Sequence, residues 1–369
     1  MQSWLHWLDR VFWALERRIR LWPVAGLTGV IVFLLAMAYV SDETFRSGSH
    51  GWSYMQLAKN PFDFESPNAL GYRRLGPLLG YLLGLRGDRF LWLTALAAMA
   101  IPASLYAHLR ASRGFAPSTA TGLVLLIGLS NVLTIHFIGQ GYVDPLYYLC
   151  VLWAFLLVDR SYGSLVFMVL APLIHEATLV LLPAWVFLRF AALRDQGRPG
   201  WTAVAWGFAV LLPWIGWRVF ADRVLHISAD FTFSFYFSEE NIQTMIKDQL
   251  PLLPLGLFWA LKLGWVLPLQ GIRHYFQQGD LLRLAAALLV LVGVVAQALI
   301  AMDMGRLFCL AFPLVAIAAI DLHRPETAAL LTRRIWWLVL LGLPLLSYYV
   351  GGKFIVPLLP WPLRSLLPA

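Results

Sequence analysis

Polar and apolar positions along this chain fall into long blocks rather than a fine alternation. The first block is the exception. In residues 3–21, Trp4, Leu8, Phe12, Leu15 and Ile19 form one stripe at helical spacing, with Arg10, Arg17 and Arg18 largely elsewhere. That pattern predicts an amphipathic helix over 1–21 lying at the cytoplasmic membrane interface, with a cytoplasmic extension of the next helix as the plain alternative. Apolar blocks follow at Trp22–Val40, Phe90–Leu109, Ser118–Phe137, Val143–Val158, Thr202–Phe220, Leu250–Leu269, Leu281–Ala301, Leu307–Ile320 and Ile335–Tyr349. Many of them approach the length that crosses the hydrocarbon core as a helix, and they are too long and too rich in Leu and Ala for barrel strands. Tyr162–Leu188 is awkward: its 27 apolar residues exceed one crossing and fall short of two, and arginines flank it on both sides. It predicts two short helices broken near Pro172 and meeting at His175-Glu176, as helices lining a cavity do. Leu75–Leu85 spans about half a bilayer and predicts an outer-face or re-entrant helix.

These blocks predict an all-α polytopic membrane protein with about 9–11 transmembrane helices. The whole of 1–369 reads as one integral membrane domain, with no internal repeat and no soluble domain. Arg17, Arg18 and Arg20 precede the first span, so the cytoplasmic bias of basic residues puts the N-terminus in the cytoplasm. The stretches 41–85 and 221–249 then become outer loops, the first with a short helix at Trp52–Leu57.

Composition sharpens this picture. The chain is 60% hydrophobic and only 13% charged, against about 25% charge in an ordinary soluble domain. Its net charge of +8 sits in short clusters between spans, as orientation signals do, which argues against nucleic acid as a partner. Cys150 and Cys309 both lie in apolar runs and read as small core residues, not as a disulfide or metal set. Nothing resembles a nucleotide, haem or flavin motif.

A chain that spends few charges and groups them repays a look at where they fall. The predicted parity puts Asp42, Glu43, His50, Arg73, Arg74, His136, Gln140, Asp144, Asp303 and Arg306 on one face, the outer one. Asp42-Glu43 could act as general base on a hydroxyl or hold a divalent ion, or simply end a helix in water; Asp63 and Glu65 are weaker versions of the same idea. Arg73 and Arg74 stand on the side that disfavours arginine and suit a lipid phosphate, with snorkelling to headgroups as the plain alternative. Asp144 begins a helix, where its charge suits the dipole, and with His136 it could orient an acceptor. His175 and Glu176 are ionisable groups inside an apolar run, either a relay or a polar contact between short helices. Asp303 and Arg306 are three apart on one helical face, either a local ion pair or a second phosphate ligand. Glu239 and Glu240 in the second outer loop are weaker candidates.

A span, an outer loop with acids, the turn Tyr54–Ala58 of form Tyr-x-x-x-Ala, and Pro61-Phe62 leading to YRRLGPLL ending at Leu79 together resemble the integral membrane glycosyltransferases of the GT-C superfamily. The later Asp144-Pro145 and His175-Glu176 pairs resemble bacterial, mannosyltransferase-like members. The resemblance implies a GT-C-like fold in the bacterial inner membrane and a polyprenyl-phosphate-linked sugar as donor. It also implies a cell-envelope glycan or lipid as acceptor, with Asp42 or Glu43 as catalytic base. Members of this kind often place an acid just before the Tyr turn; here Ser49-His50-Gly51 stands there. On this reading Arg73 or Arg74, with Arg306, neutralises the phosphate, and His50, Tyr54, His136, Asp144, His175, Glu176 and Asp303 support the acceptor. A divalent ion is compatible but not required. Three rivals remain at this level: a polymerase or ligase of diphosphate-linked glycans, a transporter or flippase of lipid-linked substrates, and a structural membrane partner.

Overall fold

The computed structural model describes residues 1–38, 49–64, 70–227, 238–301, 303–345, 347–351 and 354–358. Asp42, Glu43 and Glu65 lie outside the described residues. What is described is dominated by helices, and seven helical runs are long and apolar enough to cross a membrane: Leu21–Ala38, Gly87–Arg113, Glu176–Asp195, Trp201–Arg223, Glu239–Gln278, Leu281–Leu299 and Met304–Leu322. The chain is a multi-pass membrane protein.

Helix α1 (Gln2–Ile19) is separate from α2 (Leu21–Ala38), because Arg20 between them takes a positive φ of 70°. It packs Leu8, Phe12 and Leu15 against the core and leaves Trp7 and Trp13 exposed. Three contacts fix it across one end of the bundle. Trp4 meets Trp336 edge-on at 4.6 Å, Asp9 accepts the Ser118 N–H at 2.7 Å, and Glu16 accepts from Tyr106 Oη and Arg110 Nε at 2.8 Å each.

Beyond α3 (Ser49–Lys59) and α4 (Leu75–Leu82), α5 (Phe90–Arg113) packs closely on α2. A Cβ built on Gly29 would lie 2.5 Å from the Met99 carbonyl oxygen, so only glycine permits this crossing. Gly114, in the left-handed region at φ 68°, ends α5 by giving its N–H to Leu109. The predicted span Ser118–Phe137 is divided into α6 (Pro117–Gly128) and α7 (Asn131–Ile138), with Ser130 Oγ bonding back to the Ile127 carbonyl at 2.5 Å in the gap. Helix α8 (Asp144–Leu156) opens with Asp144 and Pro145, both suited to a helix N-terminus.

The long run after Arg160 forms α9 (Ser161–Ile174), a 3₁₀ segment Glu176–Leu181 and α10 (Leu182–Asp195). The two helices meet at His175-Glu176, but the break falls at His175 rather than at Pro172. Pro172 sits inside the last turn of α9, whereas His175 turns extended (φ −155°, ψ 118°) and its Nδ1 accepts the Ala177 N–H at 3.1 Å. The side chain thus caps the next segment and pins the break to its own position.

Helix α11 (Trp201–Arg223) buries few residues and stands at the edge of the bundle. The predicted loop 221–249 is partly helical, holding α12 (Glu239–Thr244) and a π-helical turn Met245–Gln249. The predicted span Leu250–Leu269 is interrupted. Lys262, at φ 49°, separates α13 (Leu253–Leu261) from a 3₁₀ turn and α14 (Val266–Gln278), and its buried ammonium donates to the Leu345 carbonyl at 3.2 Å. Helix α15 (Leu281–Ala301) coincides with its predicted span. The span predicted at Leu307–Ile320 is composite, made of α16 (Met304–Leu307), a 3₁₀ turn Phe308–Ala311 and α17 (Pro313–Leu322). The last span, predicted to run to Tyr349, stops as α18 (Ala328–Gly342).

After α18 the chain departs from the all-α expectation. Strands β1 (Ser347–Gly351) and β2 (Phe354–Leu358) pair antiparallel, Gly351 opposite Phe354, and β1 contacts α7, α13 and α16. β-branched and aromatic residues on either side of a glycine favour a hairpin.

The bundle has two polar ends. At one, Arg110 pairs with Glu16, Arg113 with Asp159, and Arg194 and Arg283 with Asp195 and Asp280. A cavity of about 200 Å³ opens here, lined in part by Arg113, Asp159, Asp195, Arg283 and Asp321, and its charges pair among themselves. Helices α5 and α8 run between this end and the other, and α9 with α10 forms a hairpin whose tip, Glu176, lies at the other.

Candidate functional site

Arg73 and Arg306 anchor the second polar end. Arg73 sits in the turn between Leu70 and α4, and α11 fixes that turn from the side. Trp217 Nε1 donates to the Tyr72 carbonyl at 2.8 Å, Tyr72 Oη donates to the Ile227 carbonyl at 3.3 Å, and Arg218 lies 3.9 Å from the centre of the Tyr72 ring. Held there, Arg73 turns its Nε and Nη2 to Glu176, at 3.0 Å from Nε to Oε2 and 2.5 Å from Nη2 to Oε1. Its Nη1 donates to Tyr54 Oη at 3.3 Å, from α3.

Arg306 is held from two directions. Its Nε donates to Asp303 at 2.5 Å, and its Nη1 donates to Asp144 Oδ2 at 3.1 Å. Asp303 also accepts the Arg306 N–H as N-cap of α16, so one residue shapes the helix and holds the guanidinium. Asp144 is buried and takes the Tyr147 hydroxyl at 2.7 Å, and Tyr148 Oη donates to the Arg306 carbonyl at 2.7 Å. A buried carboxylate is tolerable only with partners of this kind.

Tyr142 stands between the two pairs. Arg306 lies 4.3 Å from the centre of its ring, the Tyr54 ring 6.4 Å away and the His50 ring 5.9 Å away. His50 feels both guanidinium groups. Burial lowers its pKa first, and the charges of Arg306 and Arg73 lower it further, so the imidazole favours its neutral form. Burial raises the Tyr54 hydroxyl to about 12, keeping it a donor and acceptor without charge. For Arg73 burial works against the charge, but the Glu176 carboxylate outweighs it and holds the guanidinium well above its ordinary value.

The local backbone is as constrained as the side chains. A Cβ on Gly51 would fall 1.8 Å from the Gln140 carbonyl oxygen, and Gly141 takes a φ of 81° against it. The α3 turn carrying His50 and the Gly139–Gly141 turn therefore touch backbone to backbone.

The structure thus brings together Arg73, Arg306, His50, Tyr54, Asp144, Glu176 and Asp303 from well-separated stretches of chain. His175 adjoins them, its ring 4.9 Å from Tyr147. Two candidates stand apart. Arg74 donates to the backbone carbonyls of Gly71 at 2.8 Å and Pro61 at 2.6 Å and stacks 4.6 Å from the Phe64 ring, so it ties the loop together. His136 is buried among Phe33 and Phe137 rather than joined to Asp144 by a hydrogen bond, and its Nδ1 has no partner among the described residues. Asp63 is half-buried in the loop that Arg74 ties together, and Glu239 and Glu240 are exposed.

Tyr142, Tyr147, Tyr148 and Gly51 escape a reading of the sequence alone. Only Tyr147 had a usable signal, three residues past Asp144 on the same helical face. Among the described residues no three His, Cys, Asp or Glu side chains gather as metal ligands. No family model matches the chain, and no curated protein or solved structure matches it.

Proposed function

We propose that this chain is a membrane-embedded glycosyltransferase of GT-C type that moves a sugar from a polyprenyl-phosphate donor to a cell-envelope glycan or lipid. One observation carries the reading: two arginines 233 positions apart in sequence reach one polar cluster at a single end of an apolar bundle. Guanidinium groups are the side chains best shaped to hold a phosphate through paired hydrogen bonds. Such donors, fixed before substrate arrives, would stabilise the negative charge that grows on a leaving phosphate.

The depth of the cluster supports a lipid-borne ligand. From Asp144 at its start, α8 rises only about 20 Å over its length, against about 30 Å of hydrocarbon. Were Asp159 to stand at the opposite boundary, the cluster would lie some 10 Å below the near surface, within reach of a lipid phosphate drawn between helices. Many basic residues belong to the other end, among them Arg10, Arg17, Arg18, Arg324, Arg333 and Arg334, and the positive-inside bias then turns the cluster to the outer face.

The test is direct. Purified protein in lipid nanodiscs is given a panel of undecaprenyl-phosphate-linked sugars and a cell-envelope acceptor extract, and release of undecaprenyl phosphate is measured. Release that needs both substrates and falls about 10²–10³-fold in Arg73→Ala supports the proposal. No release from any donor ends it.

A second reading has its own support. One helical run is interrupted inside the bundle, at Lys262, as in transporters whose broken helices line a path. A flippase of lipid-linked substrates would move such a donor between leaflets without breaking it. Leaflet-exchange assays on labelled lipid in proteoliposomes separate the two.

A further inference from the structure

We propose that Glu176 is both the counter-ion that a lipid phosphate displaces from Arg73 and, once displaced, the base that takes the acceptor's proton. The inference rests on the glycosyltransferase reading above.

Glu176 occupies the Nε–Nη2 edge of Arg73, one of the two edges through which a guanidinium grips an oxyanion with two parallel bonds. Tyr54 already holds Nη1. With Nη1 on Tyr54 and Nη2 on Glu176 the second edge is engaged as well, so a phosphate takes the Nε–Nη2 edge of Arg73 only by moving Glu176 aside. Arg306 offers no such opening, since Asp303 and Asp144 hold it from two sides and Asp144 is locked in turn by Tyr147.

Accessibility picks out the same carboxylate. The Glu176 side chain is 28% exposed, against 15% for Asp303 and 2% for Asp144. Glu176 also begins a 3₁₀ segment directly after the extended His175, so its backbone is set by a break rather than by a continuous helix. A side chain at such a break can swing without unwinding a turn.

Charge makes the exchange necessary. Two guanidinium groups face three carboxylates in the described cluster, so an incoming phosphate meets a site with no spare positive charge. Releasing Glu176 exposes one. In the step that follows, Glu176 takes the proton of the acceptor hydroxyl, the acceptor oxygen bonds to the anomeric carbon, and the bond from that carbon to the phosphate oxygen breaks. The electron pair leaves on the lipid phosphate, where Arg73 holds it, and Glu176 ends as the neutral acid.

The experiment separates binding from transfer, using farnesyl monophosphate as the binding probe and the donor panel for turnover, with full-length protein in nanodiscs. Glu176→Gln keeps the shape and removes the charge. It is expected to bind farnesyl monophosphate about tenfold tighter than the wild type, because the competing anion is gone, and to lose transfer by about 10²-fold or more. Arg73→Ala is expected to lose binding. Glu176→Asp keeps the charge on a shorter arm and is expected to restore part of the transfer, which a purely structural role would not predict. Binding in Glu176→Gln that is unchanged or weaker, with thermal unfolding intact, overturns the exchange. Tighter binding with transfer retained overturns the base role alone. Failure of the wild type to bind the lipid phosphate at all sinks the parent reading instead. Inorganic phosphate is expected not to compete at matched concentration. If it competes as well as the lipid, the ligand is soluble and the lipid-donor reading fails, while the exchange at Arg73 stands.

Discussion

Arg306 lies face-on over the ring of Tyr142, its guanidinium carbon 4.3 Å from the ring centre. The same ring meets Tyr54, which holds Arg73, in an edge contact at 6.4 Å, so Tyr142 forms an aromatic wall that touches both ion pairs. A desolvated cation on an aromatic face is worth about 0.5–2 kcal/mol. Tyr142→Phe keeps the face and is expected to leave thermal unfolding nearly unchanged. Tyr142→Ala is expected to lower stability by about 1–2 kcal/mol or more, through the lost contact and the void left behind, and to weaken farnesyl monophosphate binding. Equal behaviour of the two variants would remove the wall from the account.

The approach of Gly51 to Gln140 gives a sharper test. A methyl group there meets backbone, not a flexible side chain, and neither segment of chain can yield without moving His50 or Tyr142. Gly51→Ala is expected to destabilise by about 1–3 kcal/mol or more and to abolish whatever the cluster does. Gly26, in the membrane-spanning α2, has open space where a Cβ would stand, with nothing within 4 Å, and serves as the control: Gly26→Ala is expected to be neutral or to gain about 0.5–1 kcal/mol. Thermal unfolding in one detergent reads both.

Arg73 and Arg74 show where sequence reasoning reaches its limit. Adjacent and identical, they carry the same charge into the same turn, and nothing in the letters separates them. Only the fold shows that Arg73 points to Glu176 while Arg74 spends its donors on the carbonyls of Gly71 and Pro61. Arg74→Lys cannot reproduce that two-carbonyl fork and is expected to lower the melting temperature with farnesyl monophosphate affinity changed less than about threefold. Arg73→Lys is expected to do the reverse. By contrast the helix pair meeting at His175-Glu176 was legible, because an ionisable pair inside an apolar run is costly without a purpose. The aromatic partners were not. Among 23 Phe, 17 Trp and 13 Tyr, a tyrosine that lines a site looks like one that faces lipid. The interruption at Lys262 was hidden for a different reason: hydropathy averages over the one residue whose φ is positive. The C-terminal hairpin did leave a mark, two glycines between β-branched and aromatic residues, which the apolar character of the region masked.

At the opposite end, Glu16 joins α1 to α5 through Arg110 and Tyr106. Burial raises its pKa, but the bonds to Arg110 and Tyr106 outweigh this and hold the folded value below its ordinary 4.5. A depressed carboxyl pKa gives stability that is fully present above the unfolded value and fades as pH falls through the folded one. The gap in melting temperature between the wild type and Glu16→Gln is therefore expected to be constant above about pH 5.5 and to close progressively below pH 4.5. A gap that does not depend on pH would mean that packing of α1, not this ion pair, holds it in place.

The lipid-phosphate reading also commits the cluster to one side of the membrane. Asp88 is exposed beside α5 at the cluster end, and Glu326 is exposed between α17 and α18 at the other. The native cysteines Cys150 and Cys309 are buried, so neither competes strongly for a reagent. Single cysteines at the two positions, Asp88→Cys and Glu326→Cys, then report the sidedness of the whole bundle. The basic residues crowd the Glu326 end, and the positive-inside bias predicts that this end is cytoplasmic. In intact spheroplasts a membrane-impermeant maleimide is expected to label Asp88→Cys and to spare Glu326→Cys until the membrane is permeabilised. The opposite pattern would turn Arg73 and Arg306 to the cytoplasm, where cell-envelope acceptors on the outer face are out of reach, and the proposed transfer could not occur there.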